Sequence, residues 1–217
     1  MSGKRALMVP GGGRGQGETR PVRLRQREGE GVSVTVRRLP IADAGPSRIE
    51  RLDLAAARVP GRRYQADAGD AVARDGRVQI LFAQRRCLAG LRSLVVVNVS
   101  PEGVRNILAS CVEFLPRLRE YLDSRKLPAA VPLERTEEPA QAVALVANLA
   151  LIAYADTEAL IDFYHASAWS LRVLAQGGQD LAVDPVVRVD LSVTLLRLVL
   201  DRLQELEREL PEPLVND

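Results

Sequence analysis

Ser93 to Leu115 reads SLVVVNVSPEGVRNILASCVEFL, and Pro185 to Leu206 reads PVVRVDLSVTLLRLVLDRLQEL. Each runs a β-branched segment into Ser and then into a segment with apolar residues at helical spacing. Leu94–Val99 and the run Val186, Val187, Val189 predict strands, because β-branched residues fit a pleated, half-buried surface. Ser100-Pro101-Glu102 predicts a helix start: Ser as cap, Pro at the first helical position, an acid in the first turn. The stripe Val104, Ile107, Leu108, Cys111, Leu115 and Leu118 gives that helix its buried face, and Pro116 predicts a kink or a break. Ser192 predicts the second cap. Leu195, Leu196, Val199, Leu200 and Leu203 carry the second stripe, and Pro211 and Pro213 end it.

Working outward, Asp75-Gly76 has the chemistry of a two-residue hairpin turn. Tyr64 to Val72 before it reads as an irregular edge strand. Val78, Ile80 and Phe82 after it share one face of a strand. The same spacing recurs later in the chain. Asp75, Ile80 and Phe82 match Asp156, Ile161 and Phe163 at an offset of 81; Val95, Val97 and Ser100 match Val187, Val189 and Ser192 at 92. The offset changes in the stretch that holds GGQD (Gly177–Asp180), where a loop tolerates insertion. A tandem duplication accounts for both registers, with chance similarity between two β-then-α segments as the alternative.

AQAVALVANLALIAYA and TEALIDFYHASAWSLRVLAQGG are ambiguous. Propensity favours helix for both. The match to the first hairpin argues for strand, at least over Val146–Ala153 and Ala159–Tyr164, with a short helix or broad loop over His165–Ala175.

The N-terminal third is less regular. Residues 1–30 contain GGGRGQG and read as a flexible basic tail, because glycine is costly to order. Arg14, Arg20, Arg23, Arg25 and Arg27 make it either a solvated tail or a phosphate- or partner-binding arm. No G-K-[ST] follows the glycines, so they are not a Walker loop. Residues 31–61 predict a strand (GVSVTVRR) and a short helix over Arg48–Arg58, capped by Ser47, with Ile49, Leu52 and Ala56 on one side. Residues 126–140 hold three prolines and several charges and predict a linker between the halves.

ANLALIAYADTEALIDF, VVRVDLS and LLRLVLDRLQELERE together resemble a small prokaryotic family catalogued as a domain of unknown function. Its members run Tyr-Ala-Asn into an apolar strand, then a strand ending near Asp-Phe, a strand of the form R-V-x-x-[ST]-P, and a long amphipathic helix. Ala147, Asn148, Asp162, Phe163, Arg188, Val189 and Ser192 match that pattern. Val193 stands where Pro is usual, and the first half supplies Ser100-Pro101-Glu102 but lacks the Ala-Asn start. The likeness is good over Val143–Leu210 and loose over Tyr64–Leu122. It implies an antiparallel β-meander followed by a helix, and no catalytic residues.

Composition narrows the function. Aromatics are 4% of the 217 residues, which disfavours a stacking platform for single-stranded nucleic acid, and the net charge of +2 is nearly neutral. Cys87 and Cys111 have no C-x-x-C spacing and read as reduced core residues. His165 is the single histidine, so no multi-histidine metal site exists, and no G-x-S-x-G accompanies it. The longest apolar run, Ala142 to Ala155, is too short to span a bilayer as a helix, and the N-terminal stretch has a basic start but an apolar run of only Ala6 to Val9, which does not read as a signal peptide; the expectation is a soluble, cytoplasmic protein without a membrane association.

Three constellations carry candidate chemistry. Asp156, Glu158 and Asp162 could serve acid–base work or be hairpin turn and surface residues. Arg62, Arg63, Arg85, Arg86 and Arg92 could contact phosphate or form a solvated rim. Phe163, Tyr164, His165 and Trp169 could form an interface patch, a core or a ligand pocket, with Phe163, Tyr164 and Trp169 the interface candidates.

The expected architecture is α+β: two tandem antiparallel β-meander plus helix repeats forming a pseudo-symmetric pair, with a flexible N-terminal tail. The repeats are residues 62–125 and 141–211. The expected function is a non-enzymatic binding or assembly module that acts through protein–protein contacts or self-association and needs no cofactor. A nucleic-acid-associated protein using the Arg-rich tail and hairpin loop is the alternative, and an enzyme the third reading.

Overall fold

The computed structural model describes residues 19–25, 32–39, 48–52, 54, 57–86, 90–111, 114–133, 142–175 and 180–210. The N-terminal sheet holds β1 (Thr19–Arg25), β2 (Val32–Leu39) and β3 (Arg48–Leu52). Before the first meander comes β4 (Arg63–Gln65); the meander itself is β5 (Ala68–Arg74), β6 (Arg77–Arg86) and β7 (Gly90–Val99). Two helices follow, α1 (Pro101–Cys111) and α2 (Leu115–Arg125). The second half runs β8 (Val143–Ala147), β9 (Leu149–Ala155), β10 (Glu158–His165), α3 (Ala168–Ala175), β11 (Asp180–Ala182), β12 (Asp184–Ser192) and α4 (Val193–Glu207). The chain is therefore α+β, with a β-meander and a helix in each half.

The strands form three four-stranded sheets, in the orders β11-β1-β2-β3, β5-β6-β7-β8 and β4-β12-β10-β9. Each is mixed, with one parallel pair: β1 with β11, β7 with β8, β12 with β4. The two meander sheets exchange a strand. β4 immediately precedes the first meander yet pairs with the last strand of the second. β8 immediately precedes the second meander yet pairs with the last strand of the first.

The pairings fall at matching positions. Val78↔Val99, Ile80↔Val97 and Phe82↔Val95 in one sheet correspond to Ala159↔Leu191, Ile161↔Val189 and Phe163↔Val187 in the other. A register shift follows Phe82 in β6 and Phe163 in β10. The exchanged strands agree as well: Val97↔Leu145 and Asn98↔Val146 correspond to Tyr64↔Val189 and Gln65↔Asp190. The offsets of 81 and 92 seen in the sequence hold throughout.

At two corners the chain switches sheets. Asp67 N–H donates to the Ala83 carbonyl at 3.1 Å, and Asn148 N–H to the Tyr164 carbonyl at 3.0 Å. The Asp67 and Asn148 side-chain oxygens accept from Arg85 N–H (2.7 Å) and Ala166 N–H (2.8 Å). Each short polar side chain thus satisfies backbone donors where the ladder ends. Strands that bend from one sheet into the next close such corners.

The main core lies between the two meander sheets and their helices. Val78, Ile80, Phe82, Val95, Val97 and Val99 meet Ile161, Phe163, Val187, Val189 and Leu191, sealed by the stripes of α1 and α4. The helices cross over too: α1 packs along β9, and α4 along β5. Both begin as their sequences dictate. Ser100 Oγ accepts from Gly103 N–H at 3.1 Å and Ser192 Oγ from Leu195 N–H at 3.2 Å. Pro116 ends up in the first turn of α2, so the predicted break is real and Pro sits where its missing N–H costs least.

Several expectations change. Arg48–Leu52 is a strand and not the start of a helix: its residues pair with Val36–Leu39 of β2, and a propensity worth tenths of a kcal/mol per residue yields to that ladder. Within the proposed tail, Thr19–Arg25 forms β1, paired with β2 on one side and from Arg23 onward with β11 on the other. Residues 1–18 and 26–31 lie outside the described residues, as does Cys87. The described part of the linker, residues 126–133, is irregular, but Leu127 and Ala130 pack against the main core. The ambiguous stretch resolves into β8, β9 and β10, followed by α3. Helix propensity loses there because β9 and β10 face each other across Asp156-Thr157, with Asp156 at φ 54°.

Candidate interaction surface

The offset change is an insertion with a structure of its own. The first meander turns from Arg86 to Gly90, whereas the second inserts α3 and β11 between β10 and β12. β11 pairs with β1, so the insertion joins the N-terminal sheet to the body. Leu54, Ala57, Leu149, Tyr164, Ala166, Leu181 and Val183 form a second, smaller core there, with Leu151 and Leu171 packed against it.

α3 is short and anchored. Ser167 Oγ accepts from Ser170 N–H at 3.1 Å, a capping arrangement, and Leu171 holds the helix to the smaller core. Trp169 stands off that anchor and is 73% exposed. Arg172, three residues on and also exposed, lies at helical neighbour spacing.

The aromatic cluster expected from the sequence does not assemble. Phe163 is buried in the main core against Phe82, and Tyr164 is buried in the smaller core. Alternation along β10 points the two neighbours to opposite faces of the sheet, and so to different cores. Burial pushes the Tyr164 phenol up to about 12, with the Asp162 carboxylate adding to the rise. Of the three interface candidates, Trp169 alone is exposed. His165 is half-buried.

The arginines also separate. Arg63 lies on β4 and donates two hydrogen bonds to Asp190, from Nη2 at 2.9 Å and from Nε at 2.5 Å. Its charge is therefore matched. Arg62 is exposed beside it, and its carbonyl accepts from Arg188 N–H. Arg85 and Arg92 are exposed on the other meander sheet, and Arg85 donates to the Val131 carbonyl at 3.3 Å. The Arg86 side chain lies outside the described residues. These residues do not make one patch.

Asp156 is an exposed turn residue whose Oδ1 accepts from Tyr121 O–H at 3.2 Å, and Glu158 is exposed at the start of β10. Asp162 is neither turn nor surface. It is 1% exposed in the middle of β10, and Arg188 Nε and Nη2 donate to its two oxygens at 2.6 Å each. Such a bidentate pair is strong because both groups are charged and the fork geometry matches. With Asp190 and Arg63 it makes a run of alternating charge across β10, β12 and β4. At the matching positions of the other sheet stand Leu81, Val96, Asn98 and Ala144, which are mainly apolar. The sequence carried a signal for the pair in the one acid inside the apolar run ALIDFY, but not its partner, 26 residues away.

The other reactive groups are similarly occupied. Asp70, also buried, accepts from Ala71 N–H at 2.7 Å and from Arg202 Nε at 3.3 Å. Cys111 donates to the Ile107 carbonyl at 3.1 Å, and burial pushes its thiol up to about 12. Among the described residues no group of three or more His, Cys, Asp or Glu side chains is placed to hold a metal ion, and no helix is long and apolar enough to cross a membrane.

Fold and surface together define an α+β protein with mixed sheets, internally paired charges and an exposed indole on an inserted helix. No family model matches the chain, and no curated protein or solved structure matches it either.

Proposed function

We propose that the chain is a tandem pair of β-meander plus helix units that acts as a non-catalytic assembly module through protein–protein contacts. The duplication reading rests on the two offsets, which recur in strand pairing, register shift, corners and helix caps alike. Small meander units with open edges are marginal alone, and a fused copy supplies the missing partner. The similarity of residues 143–210 to the small prokaryotic domain family belongs to the same reading.

The observation that carries the function is Trp169. A large indole held 73% exposed by a capped and anchored helix is unusual, and Trp and Arg are the residues that dominate interface energetics. A non-catalytic role is supported by the occupied state of Asp162, Asp70 and Cys111, which leaves these groups neither free nor reactive.

The test compares the full-length protein with Trp169→Ala in nuclease-treated extracts and in purified form. The expected result is a defined protein partner, or a self-associated species by sedimentation, that is lost at least tenfold in Trp169→Ala while the melting temperature stays the same. Association equal in both forms would overturn the role of Trp169. Turnover of a substrate by the purified chain would overturn the non-catalytic reading.

A further inference from the structure

The two meander sheets have four outer strands: β5 and β8 in one, β4 and β9 in the other. An outer strand offers a row of backbone N–H and C=O groups to any further strand, and proteins blunt such edges with charge, short length or a covering element. α4 packs along β5, and α1 along β9. β4 is three residues long, and Arg62 and Arg63 are both exposed there. β8 differs. VALVA holds no charge and no proline, and among the described residues no strand pairs with its outer edge. Val143 and Val146 are 39% and 50% exposed, and Ala144 between them is exposed as well. The contrast falls at matching positions: at the offset of 81, Arg62, Arg63, Tyr64 and Gln65 correspond to Val143, Ala144, Leu145 and Val146. One half closes this edge with charge; the other leaves it apolar. The β8 edge is also held in place. Gln79 Nε2 donates to Asn98 Oδ1, and Asn98 Nδ2 to the Leu145 carbonyl, each at 3.2 Å.

We infer that the outer edge of β8 is a self-association site, where β8 of a second copy of this chain adds antiparallel across a two-fold axis and joins the two four-stranded sheets into one. An axis through Leu145 sets Val143 of one copy opposite Ala147 of the other, and Val146 opposite Ala144. Each valine then meets a small side chain across the strands, which suits cross-strand packing. Charge selects the occupant. The uncharged β8 edge matches itself, whereas pairing it with the β4 edge of another copy would take Arg62 out of water with no acid on β8 to meet it. Pairing of like edges also closes on itself as an isologous dimer, where a β8-to-β4 contact would run on from copy to copy. A five-residue pairing about 17 Å long falls short of the roughly 800 Å² per partner that stable interfaces bury, so the dimer is weak and forms at high concentration. This edge is a different surface from Trp169 and stands whether or not that side chain binds a partner.

The test is sedimentation velocity of the full chain from about 10 μM to about 1 mM, with amide hydrogen exchange at both ends of that range. The expected result is a monomer at the dilute end and a dimer, with no larger species, at the concentrated end. Residues 143–147 should exchange at least tenfold more slowly in the concentrated sample. Val143→Arg with Val146→Gln copies Arg62 and Gln65 of the β4 edge and should weaken dimerisation at least tenfold. Ala144→Lys should do so as well, through a charge on the same edge. Circular dichroism melts at the dilute end, unchanged in both variants, separate lost pairing from lost folding. Trp169→Ala should leave this dimer as it is, so the edge and the indole fail separately. A monomer throughout the range would overturn the inference. So would a dimer that persists in both edge variants, or one that protects other amides and leaves 143–147 unchanged.

Discussion

Phe82 and Phe163 meet edge to face, with ring centroids 6.0 Å apart and planes inclined at 61°. They occupy matching positions on β6 and β10, each just before the register shift of its strand. The contact therefore joins the two meander sheets at corresponding points of their inner faces. Truncating either ring to Ala should destabilise the protein by about 3–5 kcal/mol. The double variant should cost less than the sum by about 0.5–1.5 kcal/mol, the coupling of an aromatic pair. Denaturant titration of the three variants checks both figures; simple additivity would mean that the rings do not interact.

Two close approaches at the corners give a second prediction. A Cβ on Gly103 of α1 would sit 2.8 Å from Val99 Cγ1 and 3.0 Å from Asn148 Cα, and one on Gly69 of β5 would sit 2.8 Å from the Leu81 carbonyl oxygen. Backbone atoms cannot give way there as the end of a flexible side chain can. Gly103→Ala gains about 1 kcal/mol of helix propensity but should still destabilise by about 1–3 kcal/mol. Gly69→Ala should be at least as costly. Gly61→Ala, with nothing within 4 Å, should be neutral or slightly stabilising. Thermal melts of the three variants would rank them.

The buried Asp162–Arg188 pair invites a swap test. Arg188→Val alone leaves the Asp162 carboxylate buried without its fork and should cost about 3–5 kcal/mol. Asp162→Leu with Arg188→Val copies the Leu81 and Val96 found at the matching positions of the other sheet. That double variant should recover most of the loss, because a packed apolar pair replaces a buried ion pair at little net cost. If the double variant is no more stable than Arg188→Val, the two sites are not equivalent environments.

Alkaline pH should lower the protein's stability through two buried groups. The folded Cys111 thiol and Tyr164 phenol both sit at about 12, against ordinary values of 9.0 and 10.0. Raised folded values mean that the native state holds these protons more tightly than the unfolded chain does. Their stabilisation is complete below pH 9 and is lost as pH rises from 9 for the thiol, and from 10 for the phenol, up to about 12. In Cys111→Ala the decline should begin near pH 10 instead of near 9. Chemical denaturation across that window measures the onset; an unmoved onset would remove Cys111 from the account.

Much of the local structure was legible in the sequence. The Asp75-Gly76 turn, the Ser100 and Ser192 caps, the break at Pro116 and the inward faces of β6, β7 and β12 follow from short-range chemistry: positive φ at Asp75 and Gly76, hydroxyl oxygens that meet orphan N–H groups, a missing donor, and alternation with period two. The two offsets were legible as well, and they argued for strand over Val146–Ala153 and Ala159–Tyr164 where propensity pointed the other way.

What tertiary structure alone decided is every relationship that depends on a distant partner. Whether β4 pairs with its own meander or the other one is a choice between edges, and nothing local in RYQ or VALVA selects it. Arg48–Leu52 has helical spacing, but β2 offers it a ladder. Phe163 and Tyr164 are neighbours on opposite faces of β10, and the elements packed on each face decide which core each joins. Asp162 finds Arg188, and Arg63 finds Asp190, because opposed strands bring them within hydrogen-bond reach. Side-chain period and capping act over a few residues and are written in order along the chain, whereas strand exchange and ion pairing depend on which edges meet once the core has closed.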